Sequence, residues 1–158
     1  MLVDDDELLR RSSGRFLRRA GFEVVSAGSG AEALSMLADG ILVDVFVVDL
    51  DMPEMNGLEL LGELATRLPE VPRGLWSASP ELERLDREQL EPALFVVQKT
   101  RPIGELVQAV ARAVYGRTSA AGASSASEGG ESGGRKPSRS GWVRRSAVID
   151  EIEDARQG

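Results

Sequence analysis

The chain has 158 residues, 42% of them hydrophobic, and carries 19 Lys and Arg against 26 Asp and Glu for a formal net charge of −7. That length holds one domain with a real core plus a tail, with no room for a second full domain. Cys and His are both absent, which excludes a disulfide framework, thiol chemistry and the commonest acid/base catalyst and metal ligand, and no apolar run approaches the roughly 18 residues of a membrane span.

The chain opens on the short apolar run Met1-Leu2-Val3, which reads as a first strand and ends directly in Asp4-Asp5-Asp6. Residues 7–20 repeat apolar positions at helical spacing and stop at Gly21, a good helix terminator. Residues 22–27 read as a strand, 30–37 as a helix, and 43–48 as a buried strand that closes on Asp49. A helix over 58–68 ends before Pro69, and 74–77 is a short fourth strand. Residues 80–90 are expected to form a polar, Glu-rich helix, 94–97 a fifth strand, and 102–115 a last helix with Pro at its first turn. Strands alternating with helices of these lengths imply a parallel sheet covered on both faces. From 117 to 141 the composition turns to Ser, Gly and Ala, as in a flexible linker, and 142–158 reads as one short amphipathic helix with Val148, Ile152 and Ala155 near one face.

Asp49 is a candidate nucleophile because a carboxylate where a buried strand meets a loop sits at the carboxyl edge of the sheet, where open α/β folds do their chemistry. Asp4, Asp5 and Asp6 end the first strand in the same way. Carboxylates gathered at one edge cannot all stay ionised without help, so either one pKa rises or a cation binds. Oxygen ligands without Cys or His favour a hard ion, and Mg²⁺ suits a carboxylate pair that leaves room for waters and a phosphate. The alternative for the triplet is that its acids merely cap the following helix and complement its dipole. Lys99 stands out for another reason: the chain has two lysines against seventeen arginines, and a compact ammonium is a different tool from a planar guanidinium.

These positions together resemble a response-regulator receiver domain of bacterial two-component signalling, over residues 1–116. The family carries an acidic pair after the first strand, a phospho-accepting Asp after the third, Ser or Thr after the fourth and Lys after the fifth. Here Asp4 and Asp5, Asp49, Ser77 and Lys99 stand in that order. The resemblance implies a flavodoxin-like, doubly wound sheet of five parallel strands in the order 2-1-3-4-5. It also implies phosphorylation of Asp49, Mg²⁺ held by Asp4, Asp5, Asp49 and the Asp51 backbone carbonyl, a Ser77 hydroxyl donated to the phosphoryl group, and Lys99 paired with it. With no His in the chain, the donor histidine belongs to a partner, a sensor histidine kinase or a histidine phosphotransfer protein. An output partner or a missing C-terminal domain would read the switch, and the only enzymatic steps expected are self-phosphorylation from a donor and autodephosphorylation. Residues 1–116 hold 12 basic against 20 acidic side chains, a balance that repels nucleic acid; no membrane partner is expected, and the expected location is the cytoplasm.

Two positions depart from the family pattern. Thr100 replaces the Pro that commonly follows the Lys with a cis bond, and the aromatic expected on the fifth strand is displaced, with Val96 at that position and Phe95 one residue earlier. A one-residue shift on a strand turns a side chain to the opposite face. The runner-up readings are a detached input module of a cyclic-di-GMP phosphodiesterase, whose EAL-type opening helix residues 147–158 faintly resemble, and a receiver-like binding module that is not phosphorylated. A nucleotide-binding flavodoxin-type enzyme is disfavoured, because Asp4-Asp5-Asp6 occupies the place of a glycine-rich phosphate loop.

Overall fold

The protein is described from a computed structural model, which covers the backbone of residues 1–121 and side chains as far as Gly116. Its five strands are β1 (Leu2–Val3), β2 (Ser26–Ala27), β3 (Phe46–Val48), β4 (Arg73–Ser77) and β5 (Phe95–Gln98). All neighbours pair in parallel, in the order β2-β1-β3-β4-β5. Helices α1 (Glu7–Arg19), α2 (Gly30–Ala38) and α3 (Gly57–Arg67) make the first three crossovers, a 3₁₀ turn at Pro80–Arg84 lies between β4 and β5, and α4 (Ile103–Ala121) follows β5. The doubly wound sheet expected from the sequence is present.

Alternation along the strands builds two cores, because successive side chains point to opposite faces. Val3, Phe46, Val48 and Leu75 face α2 and α3 with Leu60, Leu61 and Leu64. Their chain neighbours Leu2, Val45, Val47 and Trp76 face α1 and α4 with Leu17, Leu106 and Val110. Phe95 belongs to this second face, and Val96 is 40% exposed, so the displaced aromatic has crossed the sheet as its register required. Gly74 makes room for it: a Cβ there would lie 2.3 Å from the Phe95 ring.

Four elements differ from the sequence expectation. β3 is confined to Phe46–Val48, short of the expected 43–48. β2 shrinks to Ser26–Ala27 because its ladder partner is β1, which offers only Leu2 and Val3. The expected helix over 80–90 is a 3₁₀ turn followed by an extended Leu85 (φ −66°, ψ 132°) and a separate turn. That turn is closed by reciprocal bonds of 3.0 and 2.8 Å between the backbone N–H and side chain of Asp86 and Gln89. Asp86 competes for the backbone as short acids do at caps and turns. At the other end α4 continues to Ala121, past the expected stop at 115, so residues 117–121 of the expected linker are helical. The remaining linker and the expected helix over 142–158 lie outside the described residues.

Candidate functional site

Strand ends converge at one edge of the sheet. β1 delivers Asp4, β3 delivers Asp49, β4 ends in Ser77, and Lys99 follows β5, where its N–H donates to the Ser77 carbonyl at 2.8 Å. The acidic triplet divides its labour. Asp6 is the N-cap of α1 and accepts from Leu9 N–H at 3.0 Å; Asp4 is fully buried and its Oδ1 accepts the Asp6 N–H at 2.9 Å; Asp5 is exposed. The capping and clustering readings of this stretch are therefore both correct, for different residues.

Lys99 joins the two buried carboxylates. Its Nζ donates to Asp49 Oδ2 at 2.6 Å and lies 2.8 Å from Asp4 Oδ2. The second contact is a close ion pair without good hydrogen-bond direction, which leaves Asp4 Oδ2 buried and without a directed donor. The other Asp49 oxygen, Oδ1, accepts the Leu50 N–H at 2.7 Å. Burial raises the Asp4 pKa, against the opposing pull of Lys99. For Lys99, burial works against the charge, but pairing with Asp4 and Asp49 outweighs it, and the ammonium is held more firmly protonated than a free lysine. Desolvation prevails at the carboxyl and ion pairing at the amine.

The donor set fits a hard divalent cation. One oxygen each from Asp4, Asp5 and Asp49 lies within 4.8 Å of the others, and three carboxylates against one ammonium leave two negative charges uncompensated. Oxygens around a six-coordinate Mg²⁺ with bonds of about 2.1 Å stand roughly 3–4 Å apart, so a small side-chain adjustment closes the cluster on an ion. Asp4 Oδ2, whose protein partner is the Lys99 ammonium at 2.8 Å, can also supply a ligand atom to such an ion.

Ser77 is buried at the same edge, but its Oγ accepts from Ser79 N–H at 3.2 Å and makes no hydrogen bond to Asp49 or Lys99. Asp51 is exposed in the loop two residues past Asp49. No cis peptide occurs among the described residues, so Lys99 reaches both acids with Thr100 in trans.

Three participants carried no role in the sequence reading. Gly57, at the start of α3, lies so close to the backbone of Asp49 that a Cβ would fall 2.2 Å from its carbonyl oxygen. Arg10 donates from its guanidinium to the Asp4 carbonyl at 2.5 Å. The Lys99 ammonium also lies 5.2 Å from the centre of the Trp76 ring, within cation–π range. The Asn-Gly pair at 56–57 was the one available signal; nothing local marks Arg10 or Trp76.

The sequence profile of the response regulator receiver domain matches residues 1–111. The chain belongs to that family. It is 34% identical over 113 residues to the transcriptional regulator NtrC of Escherichia coli, covering 72% of this chain and 24% of that protein. It is 32% identical over 69 residues to a cyclic di-GMP phosphodiesterase of Thermotoga maritima, covering 44% and 18%. Among solved structures it is similar to the response regulator TrrA of Thermotoga maritima in complex with Mg²⁺ and BeF, with a TM-score of 0.64, 27% identity, and coverage of 70% of this chain and 94% of that one. The receiver thus spans less than a quarter of the curated relatives it matches here. Receivers of this family are signalling switches that bind Mg²⁺ at an acidic cluster of this kind. None of the described helices is long and apolar enough to cross a membrane.

Proposed function

We propose that this receiver is a phospho-accepting switch of a two-component phosphorelay, with Asp49 as the acceptor and a partner's phosphohistidine as the donor. The observation that carries the reading is Lys99 bridging Asp49 and Asp4 inside an acidic cluster at the strand ends. Leu50 N–H fixes Asp49 Oδ1, which turns Oδ2 toward Lys99 and makes it the attacking atom. Oδ2 forms the new bond to phosphorus, the bond from phosphorus to the donor imidazole nitrogen breaks, and the electron pair leaves with that nitrogen. Lys99 is placed to follow the charge from the carboxylate to a phosphoryl oxygen. Phosphoryl transfer of this kind depends mostly on positioning and charge neutralisation. Mg²⁺, when bound by Asp4, Asp5, Asp49 and the Asp51 carbonyl, neutralises charge on the phosphoryl oxygens. Ser77 would rotate its hydroxyl from the local turn to donate to the phosphoryl group.

The donor is a sensor histidine kinase or histidine phosphotransfer protein, since the chain has no His of its own. Autodephosphorylation is hydrolysis at the same cluster: water attacks phosphorus, the bond from phosphorus to Asp49 Oδ2 breaks, and the carboxylate is restored as inorganic phosphate leaves. The output belongs to a partner or to further domains; residues 147–158, which carry the resemblance to an EAL-type domain, lie outside the described residues. A cytoplasmic location follows from the same reading.

Thermal unfolding of the wild type and of Asp5→Asn, with and without Mg²⁺, tests the metal part of this proposal. Mg²⁺ should raise the midpoint of the wild type and leave that of Asp5→Asn nearly unchanged, because a ligand of the native state stabilises by mass action. Equal rises in both would remove the assignment.

A further inference from the structure

One helix runs against the charge of the whole. The chain is net −7, yet α1 carries five arginines and one acid, Glu7. At 100° per residue, Leu8, Arg11, Ser12, Arg15, Phe16 and Arg19 fall within an arc of about 140°, and all six are exposed. Leu8 is 80% and Phe16 47% accessible. Arg11 pairs with Glu7 at 2.8 Å, whereas Arg15 and Arg19 have no ion pair among the described residues. A basic face studded with two large apolar side chains is a surface built for an acidic amphipathic partner.

The chain contains such a segment. Within the expected helix over 142–158, which also holds Arg144, Arg145 and Arg156, residues 147–155 carry Asp150, Glu151, Glu153 and Asp154 without a basic residue, and Val148, Ile152 and Ala155 share a helical face. α4 brings the chain to the right place, because its Tyr115 stacks on Phe22, just past the C-terminal end of α1, with ring centroids 6.4 Å apart. Between Ala121 and Ala147 lie 25 residues rich in Ser, Gly and Ala. A chain of that composition has a root-mean-square span of roughly 25–30 Å, while α1, at 13 residues, is about 20 Å long. A tether matched to the distance holds the segment at an effective concentration in the millimolar range, enough for a weak contact to form within one molecule.

We propose that residues 147–155 dock on the exposed Arg-rich face of α1, with Val148 and Ile152 against Leu8 and Phe16 and the acids beside Arg15 and Arg19.

Because the chain has no Cys, Gln157→Cys gives a single attachment point for a nitroxide in the full chain. Backbone amide intensities, compared with the label oxidised and reduced, then report where the segment rests. Amides of Leu8, Ser12 and Arg15 should lose more than half their intensity, and the loss should vanish in Arg15→Glu/Arg19→Glu and shrink at 1 M salt, where the Debye length is about 3 Å. Neutralising the tail as Asp150→Asn/Glu151→Gln/Glu153→Gln/Asp154→Asn should have the same effect without touching the folded body. Broadening centred on Phe22, Leu42 and Tyr115, which border a groove at the amino ends of β1 and β3, would overturn the proposal in favour of that groove. Weak, uniform broadening would overturn it in favour of an undocked tail, and so would losses at α1 that survive both charge variants.

Discussion

Lys99 holds two buried carboxylates with one ammonium, and the consequences of removing it follow from that count. In Lys99→Ala, Asp4 and Asp49 would face each other without a cation, and leaving buried charge unpaired typically costs about 3–5 kcal/mol. Urea unfolding without Mg²⁺ should show a loss of that order. Added Mg²⁺ should then recover more stability in Lys99→Ala than it adds to the wild type, because the variant's cluster carries one more uncompensated negative charge. A loss below about 1 kcal/mol, the range of exposed ion pairs, would return Lys99 to an ordinary surface charge. The Met1 amino group is a second buried charge site: it donates to the Val45 carbonyl at 2.6 Å, and burial lowers its pKa from 8.0 to about 5, with Asp44 opposing. Between those values the unfolded chain holds the proton and the folded one does not, so this group's contribution to stability grows as pH rises from about 5 to 8 and is flat outside that window. The difference in urea stability between the free and N-acetylated chain should therefore slope across that window by a few kcal/mol in total. A difference that stays constant with pH would contradict a neutral, buried amine.

Elements were legible where a strong period or a punctuating residue marked them, and less so where tertiary partners set their extent. The strand order came from the resemblance to the receiver family, whereas the ends of β1 and β3 could be read because their apolar runs stop at Asp. The length of β2 could not, since it depends on how much of β1 stands beside it. The turn after β4 misled for a different reason: Glu and Leu spacing over 80–90 reads as helix, but the Asp86–Gln89 pair captures the backbone locally. At the site, Asp4, Asp5, Asp49 and Lys99 were readable and do come together, whereas Ser77 reached the right edge with its hydroxyl engaged by the next turn. Gly57 shows what sequence leaves out, because its role is a close approach between the start of α3 and the end of β3. In Gly57→Ala the new methyl would have to displace the Asp49 carbonyl, and overpacking of this kind costs about 1–3 kcal/mol. Chemical denaturation should register that loss together with weaker Mg²⁺ binding, since Asp49 moves with its backbone. Unchanged Mg²⁺ affinity in a folded Gly57→Ala protein would separate the helix start from the site.

At the scale of the molecule, the two cores and the strand-end cluster form one mechanical unit. Phe46 and Val48 anchor β3 on the α2 and α3 face, Val45 and Val47 on the α1 and α4 face, and Asp49 is the next residue along. Trp76 sits in the second core and also faces the Lys99 ammonium, so a charge change at Asp49 has a packed route into the α1 and α4 layer. Phe95 is seated over Gly74, and Val96 alone stands where an aromatic was expected. All of this presupposes that Asp49 is the residue that changes charge. The most direct test is to incubate the full chain with acetyl phosphate and locate the phosphoryl group by peptide mass spectrometry. One phosphoryl group should appear, on the peptide containing Asp49, only when Mg²⁺ is present, and none should appear in Asp49→Asn. A phosphoryl group that persists in Asp49→Asn, or a folded wild-type chain that takes none in Mg²⁺, would contradict the account.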